Sequence, residues 1–362
     1  MEMTAKQRIL GAIKGEPVDR VPWCPFLAYY FENQPVHIQN RGQVSLMKEF
    51  GADPMLRGVT CMAERKFRKT KVTESQSGDT RVTMYETPVG KLKTVYTFSQ
   101  ASNSWFITGH AAKSCEDFKV LTFLFDDMII VESYQEYKQQ AHEYKEDALV
   151  VPILTPEAKT AFQSFVEHWA GTEELIYALE DYPDTVEEAM DALRRASSKA
   201  VDISAKSDAE AFIFWDDSST QNYSPGLFRK YICPEIKSWS EKLHRNDKLL
   251  FHHACGHVKD ILPDMVLNGV DAVESISPFP TGNVTIEQAV AIIPEDIALI
   301  GGLEPTFLRL CSPDELRETV RNIISLNRGK RYVLANSDSC PPDVPDWVFT
   351  EISKLVREDI LI

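Results

Sequence analysis

Short apolar runs recur through the second half of the chain, each followed by a stretch of helical periodicity. The runs at 211–217, 248–255, 271–276, 297–303 and 332–336 lack a clean in-and-out alternation. Strands of a parallel sheet read this way, because helices cover both of its faces. Between the runs the helix starts are explicit. Ser312-Pro313-Asp314-Glu315 offers an N-cap, a proline at the first helical position and a capping-box glutamate. Leu316, Val320, Ile323 and Ile324 then repeat at helical spacing. Thr285 with Gln288 forms a second capping box ahead of Pro294, and Gly269 is placed to close a helix running from Val258.

Upstream, 147–155 and 21–27 predict two more strands, and Thr4 with Gln7 opens a helix over 4–14. The stretch 70–110 breaks the plan. It is rich in Thr, Val, Tyr and Lys, with turn signals at Ser77-Gly78-Asp79 and Pro88-Val89-Gly90, and predicts antiparallel hairpins. Repeated βα units with neither a GxGxxG nor a GxxxxGK[ST] fingerprint favour a barrel over a doubly wound sheet. The expected architecture is a (β/α)8 TIM barrel in one domain over 1–362, with an N-terminal helix and 70–110 as an inserted antiparallel β region.

Charge narrows the function classes. With 39 basic against 54 acidic side chains the net charge is -15, which argues against a nucleic-acid or anionic-membrane surface. No run reaches the ~20 apolar residues of a membrane span, and MEMTAKQRIL has no apolar signal core. Seven scattered cysteines, an odd number, do not make a disulfide framework. A reducing cytoplasm is the expected setting, where clustered cysteines serve metals or catalysis.

One such cluster stands out. In Leu249-Leu250-Phe251-His252-His253-Ala254-Cys255-Gly256-His257 an apolar strand ends in metal-capable side chains. Alternate residues of a strand share a face, so His253 and Cys255 point together, at the end where barrel enzymes keep their active sites. His252 then faces the surrounding helices. Cys340 follows the run 332–336 and supplies a second sulfur on the same side of the barrel. Glu274, a carboxylate inside the apolar run 271–276, is costly there unless paired or bound to metal. The expected zinc site is therefore His253, Cys255 and Cys340, with Glu274 as a displaceable fourth ligand. A salt bridge or a helix cap is the competing role for Glu274. After the run 211–217, Asp217 is the candidate catalytic group and Asp216 a candidate substrate contact. The pair competes for a capping role with Ser218 and Ser219.

The chain resembles the uroporphyrinogen decarboxylase superfamily, and within it the zinc-dependent corrinoid methyltransferase branch. The resemblance rests on Gly11-Ala12-Ile13-Lys14-Gly15-Glu16-Pro17-Val18-Asp19-Arg20-Val21-Pro22, on Phe251 to Asp264 with its His-x-Cys-Gly element, on Gly301-Gly302-Leu303-Glu304-Pro305 and on Asp343-Val344-Pro345. Decarboxylases of the superfamily carry an arginine-rich Met-Arg-Gln-Ala-Gly-Arg element after the first strand. Residues 24–31 here read Cys-Pro-Phe-Leu-Ala-Tyr-Tyr-Phe, with no arginine. The order His-x-Cys, Glu, Cys is also similar to cobalamin-independent methionine synthase.

The resemblance implies methyl transfer from a small methylated donor to the Co(I) corrinoid of a partner protein, with zinc as Lewis acid. No Asp-x-His-x-x-Gly motif is present, so the corrinoid is expected on a separate chain. Trp23, Tyr29, Tyr30 and Trp105 are candidates for an aromatic pocket, with Tyr30 taken as a substrate contact, although aromatics near strand ends also serve as ordinary core. With the resemblance they favour a methoxylated aromatic donor. Three readings compete: methyl transfer from a methylcobamide to a thiol, a metal-free lyase of the same superfamily, and a binding protein without turnover. A homodimer is the default assembly.

Overall fold

The computed structural model describes residues 2–100 and 104–358. Thirteen strands are present among them: β1 Met55–Cys61, β2 Ala63–Phe67, β3 Lys71–Ser77, β4 Thr80–Thr87, β5 Gly90–Ser99, β6 Ser104–Gly109, β7 Met128–Glu132, β8 Leu149–Ile153, β9 Ala211–Trp215, β10 Leu249–His253, β11 Ala272–Glu274, β12 Ala298–Leu303 and β13 Tyr332–Asn336. Seven form one curled parallel sheet in the order β1-β8-β9-β10-β11-β12-β13. Sequence order and sheet order coincide once the insertion is set aside, as successive βα units require.

The sheet's two faces follow from the strand period of two. Met55, Leu149, Val151, Ala211, Ile213, Phe251, Ala272, Ala298, Ile300, Val333 and Ala335 form one buried apolar cluster on the inner face. The interleaved Leu56, Val150, Phe212, Phe214, Leu250, Val273, Leu299 and Leu334 belong to a second cluster with the helices outside. The helix Ala5–Lys14 adds Ile9, Ala12 and Ile13 to the inner cluster. It begins where the pattern predicts, with Thr4 and Gln7 in a reciprocal capping box, and Gly15 at φ 73 ends it. The capping boxes at Thr285 and Ser312 also form, opening helices Ile286–Ile292 and Pro313–Leu326.

Two expectations are corrected. The run 21–27 does not form a strand; a single parallel bridge joins Trp23 to Leu334. Cys24 N donates to Leu334 O, Leu334 N to Pro22 O, and Asp53 N to Trp23 O. Pro22 and Pro25 have no N–H to extend a ladder. The helix expected from Val258 to Gly269 shrinks to Leu262–Met265. Pro263 inside that stretch removes one of the N–H groups a continuous helix needs. The strand β1 is an element the hydrophobic pattern did not single out.

The insertion is a four-stranded antiparallel sheet, β3-β4-β5-β6, with turns at the two predicted positions, and β2 pairs separately with β7. No helix among the described residues is long and apolar enough to cross a membrane.

Candidate metal centre

The site is the next layer of the inner face. Arg57 lies two residues beyond Met55, Trp215 two beyond Ile213, His253 two beyond Phe251 and Glu274 two beyond Ala272, so each continues an inward-facing row past the apolar cluster. In the sheet His253 stands beside Trp215 on one side and Glu274 on the other. The outward neighbour His252 is buried and stacked on Phe214, with ring centroids 4.5 Å apart. Burial drives its pKa down to about 3, so it stays neutral.

Polar partners fix the imidazole of His253. Its Nδ1 lies 3.0 Å from Glu274 Oε2 and 3.0 Å from Ser275 Oγ. Glu274 is fully buried, and its other oxygen is ion-paired with Arg57 at 2.5 Å. Arg57 also donates to the carbonyl of Cys24 and lies 5.0 Å over the Phe26 ring. Burial alone would raise the Glu274 pKa; the Arg57 guanidinium and His253 outweigh it and hold the carboxyl below its usual range. Burial likewise favours neutral His253, but Glu274, Asp338 and Asp217 reverse this and raise its pKa.

Beyond the strand, Cys255 Sγ donates to Asp217 Oδ1 at 3.1 Å. Burial, and then the Asp217 charge, push the thiol well above its usual range. Gly256 follows at φ 116, where a Cβ would press on Ser219 and the Ser218 carbonyl, so the sharp turn needs glycine. The other oxygen of Asp217 is 3.2 Å from Lys159 Nζ, which also holds Glu167 at 2.8 Å and the Trp215 carbonyl at 2.6 Å. Burial would raise the Asp217 pKa, but Lys159, His253 and Cys255 lower it.

Ligand atoms of Asp217, His253 and Cys255 all lie within 4.8 Å of one another, the arrangement among the described residues that a metal ion could occupy. Because Glu274 accepts from Nδ1–H, the Nε2 lone pair of His253 is the one left for an ion. One imidazole, one sulfur and one carboxylate leave a tetrahedral ion an open position.

The remaining candidates are placed differently. Cys340 is buried in the loop after β13, where its N–H donates to Phe26 O, and its sulfur is not in the three-residue group. Glu274 touches the imidazole and Arg57, the salt-bridged role that competes with ligation. Asp216 is fully buried with both oxygens on Thr160, at 2.8 Å from N and 2.7 Å from Oγ1, and burial raises its pKa to about 7. Those contacts tie it to the loop that carries Thr160. Tyr30 is core: it donates to Asp346 and packs on Phe50 and Phe349. Trp23 is fully buried, and Trp105 sits in the insertion against Phe98 and Arg81.

Around the site stand Phe26 and Trp215, each with its ring centroid 6.2 Å from that of His253. Arg57, Lys159 and Asp338 are the groups the pattern did not single out. Arg57 lies on β1, a strand the pattern did not single out, so its charge did not stand out as that of Glu274 does inside the run 271–276.

The family model described as uroporphyrinogen decarboxylase (URO-D) matches residues 161–358. Among solved structures the chain is similar to a methyltransferase from Methanosarcina mazei, 16% identical, with a TM-score of 0.63 over 99% of each chain. It is also similar to a B12-independent methionine synthase from a Shewanella species, 8% identical, with a TM-score of 0.48 over 94% of this chain and 98% of that one. No curated protein sequence matches. The first likeness shows a shared fold, and the family match takes in β9 to β13 and with them Asp217, His253, Cys255, Glu274 and Cys340; the chain belongs to the uroporphyrinogen decarboxylase family.

Proposed function

We propose that the protein is a zinc-dependent methyltransferase that moves a methyl group from a small methylated donor to the Co(I) corrinoid of a partner protein. The observation that carries the reading is the convergence of His253, Cys255 and Asp217 within 4.8 Å at two neighbouring strand ends. Family membership and the fold shared with the methyltransferase from Methanosarcina mazei support it. So does the absence of arginine from residues 24–31, which removes the basic element expected for binding porphyrinogen carboxylates.

The donor set fits zinc. An imidazole whose Nδ1 is held by a carboxylate, a thiol and a carboxylate are ligand types this ion takes, and the Nδ1 contact is the usual outer support. His253, Cys255 and Asp217 would hold it, with the sulfur of Cys340 as a further candidate on the loop after β13. The chemistry supplied by bound zinc is Lewis-acid stabilisation of the oxygen that loses its methyl group. The chain's own residues do the rest. Lys159 anchors the outer oxygen of Asp217, and Glu274 with Ser275 sets the plane of the imidazole. Phe26 and Trp215 offer flat apolar walls beside it, which suits a methoxylated aromatic donor.

The same reading takes the chain as one catalytic unit in the cytoplasm, as a possible homodimer, with Pro22 to Cys24 completing a (β/α)8 barrel between β13 and β1. The test is direct. Zinc is measured per chain after mild purification, and methoxylated aromatics are offered with a corrinoid protein. Stoichiometric zinc and release of the free phenol are expected. Less than about 0.2 zinc per chain sinks the reading. Turnover only with thiol acceptors and a methylated corrinoid would reverse the direction of transfer.

A further inference from the structure

A carboxylate can serve a metal-binding histidine in two ways. It can bind the ion beside the ring, or hold the far nitrogen and orient it. Glu274 and Asp217 both reach this site, and their surroundings separate them.

Glu274 is committed on both oxygens. Oε2 accepts from His253 Nδ1, and Oε1 is ion-paired with Arg57, with both side chains no more than 1% exposed. Arg57 is itself held in place by the Cys24 carbonyl and the Phe26 ring. Swinging Glu274 onto an ion would strand a buried guanidinium, the costly half of a broken buried pair. Ser275 supports the same arrangement. It keeps φ 70, a conformation few non-glycine residues adopt, and its hydroxyl sits 3.0 Å from the same Nδ1. Asp217 faces the other way, with Oδ1 on the thiol of Cys255.

We infer that Arg57 is a positioning residue that withholds Glu274 from the metal: it keeps that carboxylate on the Nδ1 edge of His253, so Nε2 faces Cys255 and the carboxylate ligand is Asp217. This rests on the metal reading above and assigns the ligand set within it. The geometry that would make Glu274 a displaceable ligand is blocked in this chain by a strand-borne arginine.

Co(II) is the probe, added to the full chain after chelation and followed by its visible d–d bands and its dissociation constant. The wild type is expected to bind one Co(II) per chain; no binding there overturns the metal reading itself. Given binding, D217N is expected to move the bands, because a ligand is lost. E274Q is expected to leave them in place while weakening binding about 10–100-fold. R57M frees Glu274, so the bands shift, and they return in R57M/E274Q, which also removes the uncompensated buried charge. R57K is expected to keep the wild-type bands. D217N leaves the Arg57–Glu274 pair intact, so it decides the matter even where E274Q or R57M does not fold. Bands moved by E274Q and untouched by D217N, or an R57M spectrum identical to wild type, overturn the inference.

Discussion

The thiol of Cys255 and the carboxylate of Asp217 meet across the ends of two neighbouring strands, with Sγ 3.1 Å from Oδ1. Cys255 continues the inward row of Phe251 and His253, whereas Asp217 is turned toward it by Lys159. A proton now occupies the space between sulfur and oxygen. An ion that displaces it gains two anionic ligands at once, which is how metal affinity becomes coupled to thiol deprotonation.

Removal of either soft donor should therefore empty the site without unfolding the chain. C255A and H253A are each expected to retain less than about a tenth of the wild-type zinc, with methyl transfer lost in parallel. Elemental analysis beside a thermal melt checks this. Full zinc content in C255A would place the ion elsewhere.

The adjacent aspartates are expected to separate cleanly. Asp216 is spent on Thr160 and Asp217 on the site, so D216A should cost stability, roughly 1–3 kcal/mol, with zinc content unchanged. D217N should do the reverse. Chemical denaturation and metal analysis of both variants make the comparison; a D216A protein that is stable but metal-free contradicts it.

These assignments show what the chain discloses before folding. The βα alternation, the capping boxes at Thr4, Thr285 and Ser312, and the pairing of His253 with Cys255 are local patterns of period 2 or 3.6, and local patterns are legible. Which carboxylate reaches which face of an imidazole is not local. Glu274 meets Arg57 across 217 positions of sequence, and Lys159 meets Asp217 across 58. Tyr30 is ambiguous for a related reason: an aromatic suits a pocket as well as a core, and its packing on Phe50 and Phe349 is not written in its neighbours in sequence.

Asp53 ties the N-terminal segment to the sheet. Its oxygens take Arg8 at 2.5 Å, Arg20 at 2.6 Å and Trp23 N at 3.0 Å, and Arg8 and Asp53 are only 3% and 2% exposed. D53N leaves Arg20 short of its anion and Arg8 with Asp19 alone, and should destabilise by about 1–3 kcal/mol. A denaturation midpoint shifted by less than a third of that amount would assign the segment's hold to the apolar packing of Ile9, Ala12 and Ile13 instead.

Gly58 keeps the Trp215 wall in place. It holds φ 66 on β1, and a Cβ there would stand 2.3 Å from Cζ2 of the Trp215 indole. G58A is expected to cost roughly 2–4 kcal/mol and to displace Trp215 from beside His253. A change in tryptophan fluorescence together with weaker donor binding is the signature. An unchanged emission spectrum would show that the ring has room to stay.

Stability should also carry a pH signature from outside the site. Glu235 lies on the helix Cys233–His244, with Oε2 accepting from Ala161 N at 2.9 Å and Oε1 without a hydrogen-bond partner. Burial raises its pKa from 4.5 to about 7, against the opposing pull of Arg194 and the Ala161 N–H. The folded carboxyl thus keeps its proton between these two values while the unfolded one loses it. The folded state binds more protons there, and this group's contribution to stability falls as pH rises through that window. E235Q mimics the protonated form and can still accept from Ala161. It should match the wild type below the lower value and exceed it by at most about 2–3 kcal/mol above the upper one. Urea midpoints of both proteins at about pH 5 and about pH 8 read the difference, and parallel pH profiles would show that Arg194 keeps the carboxylate charged throughout.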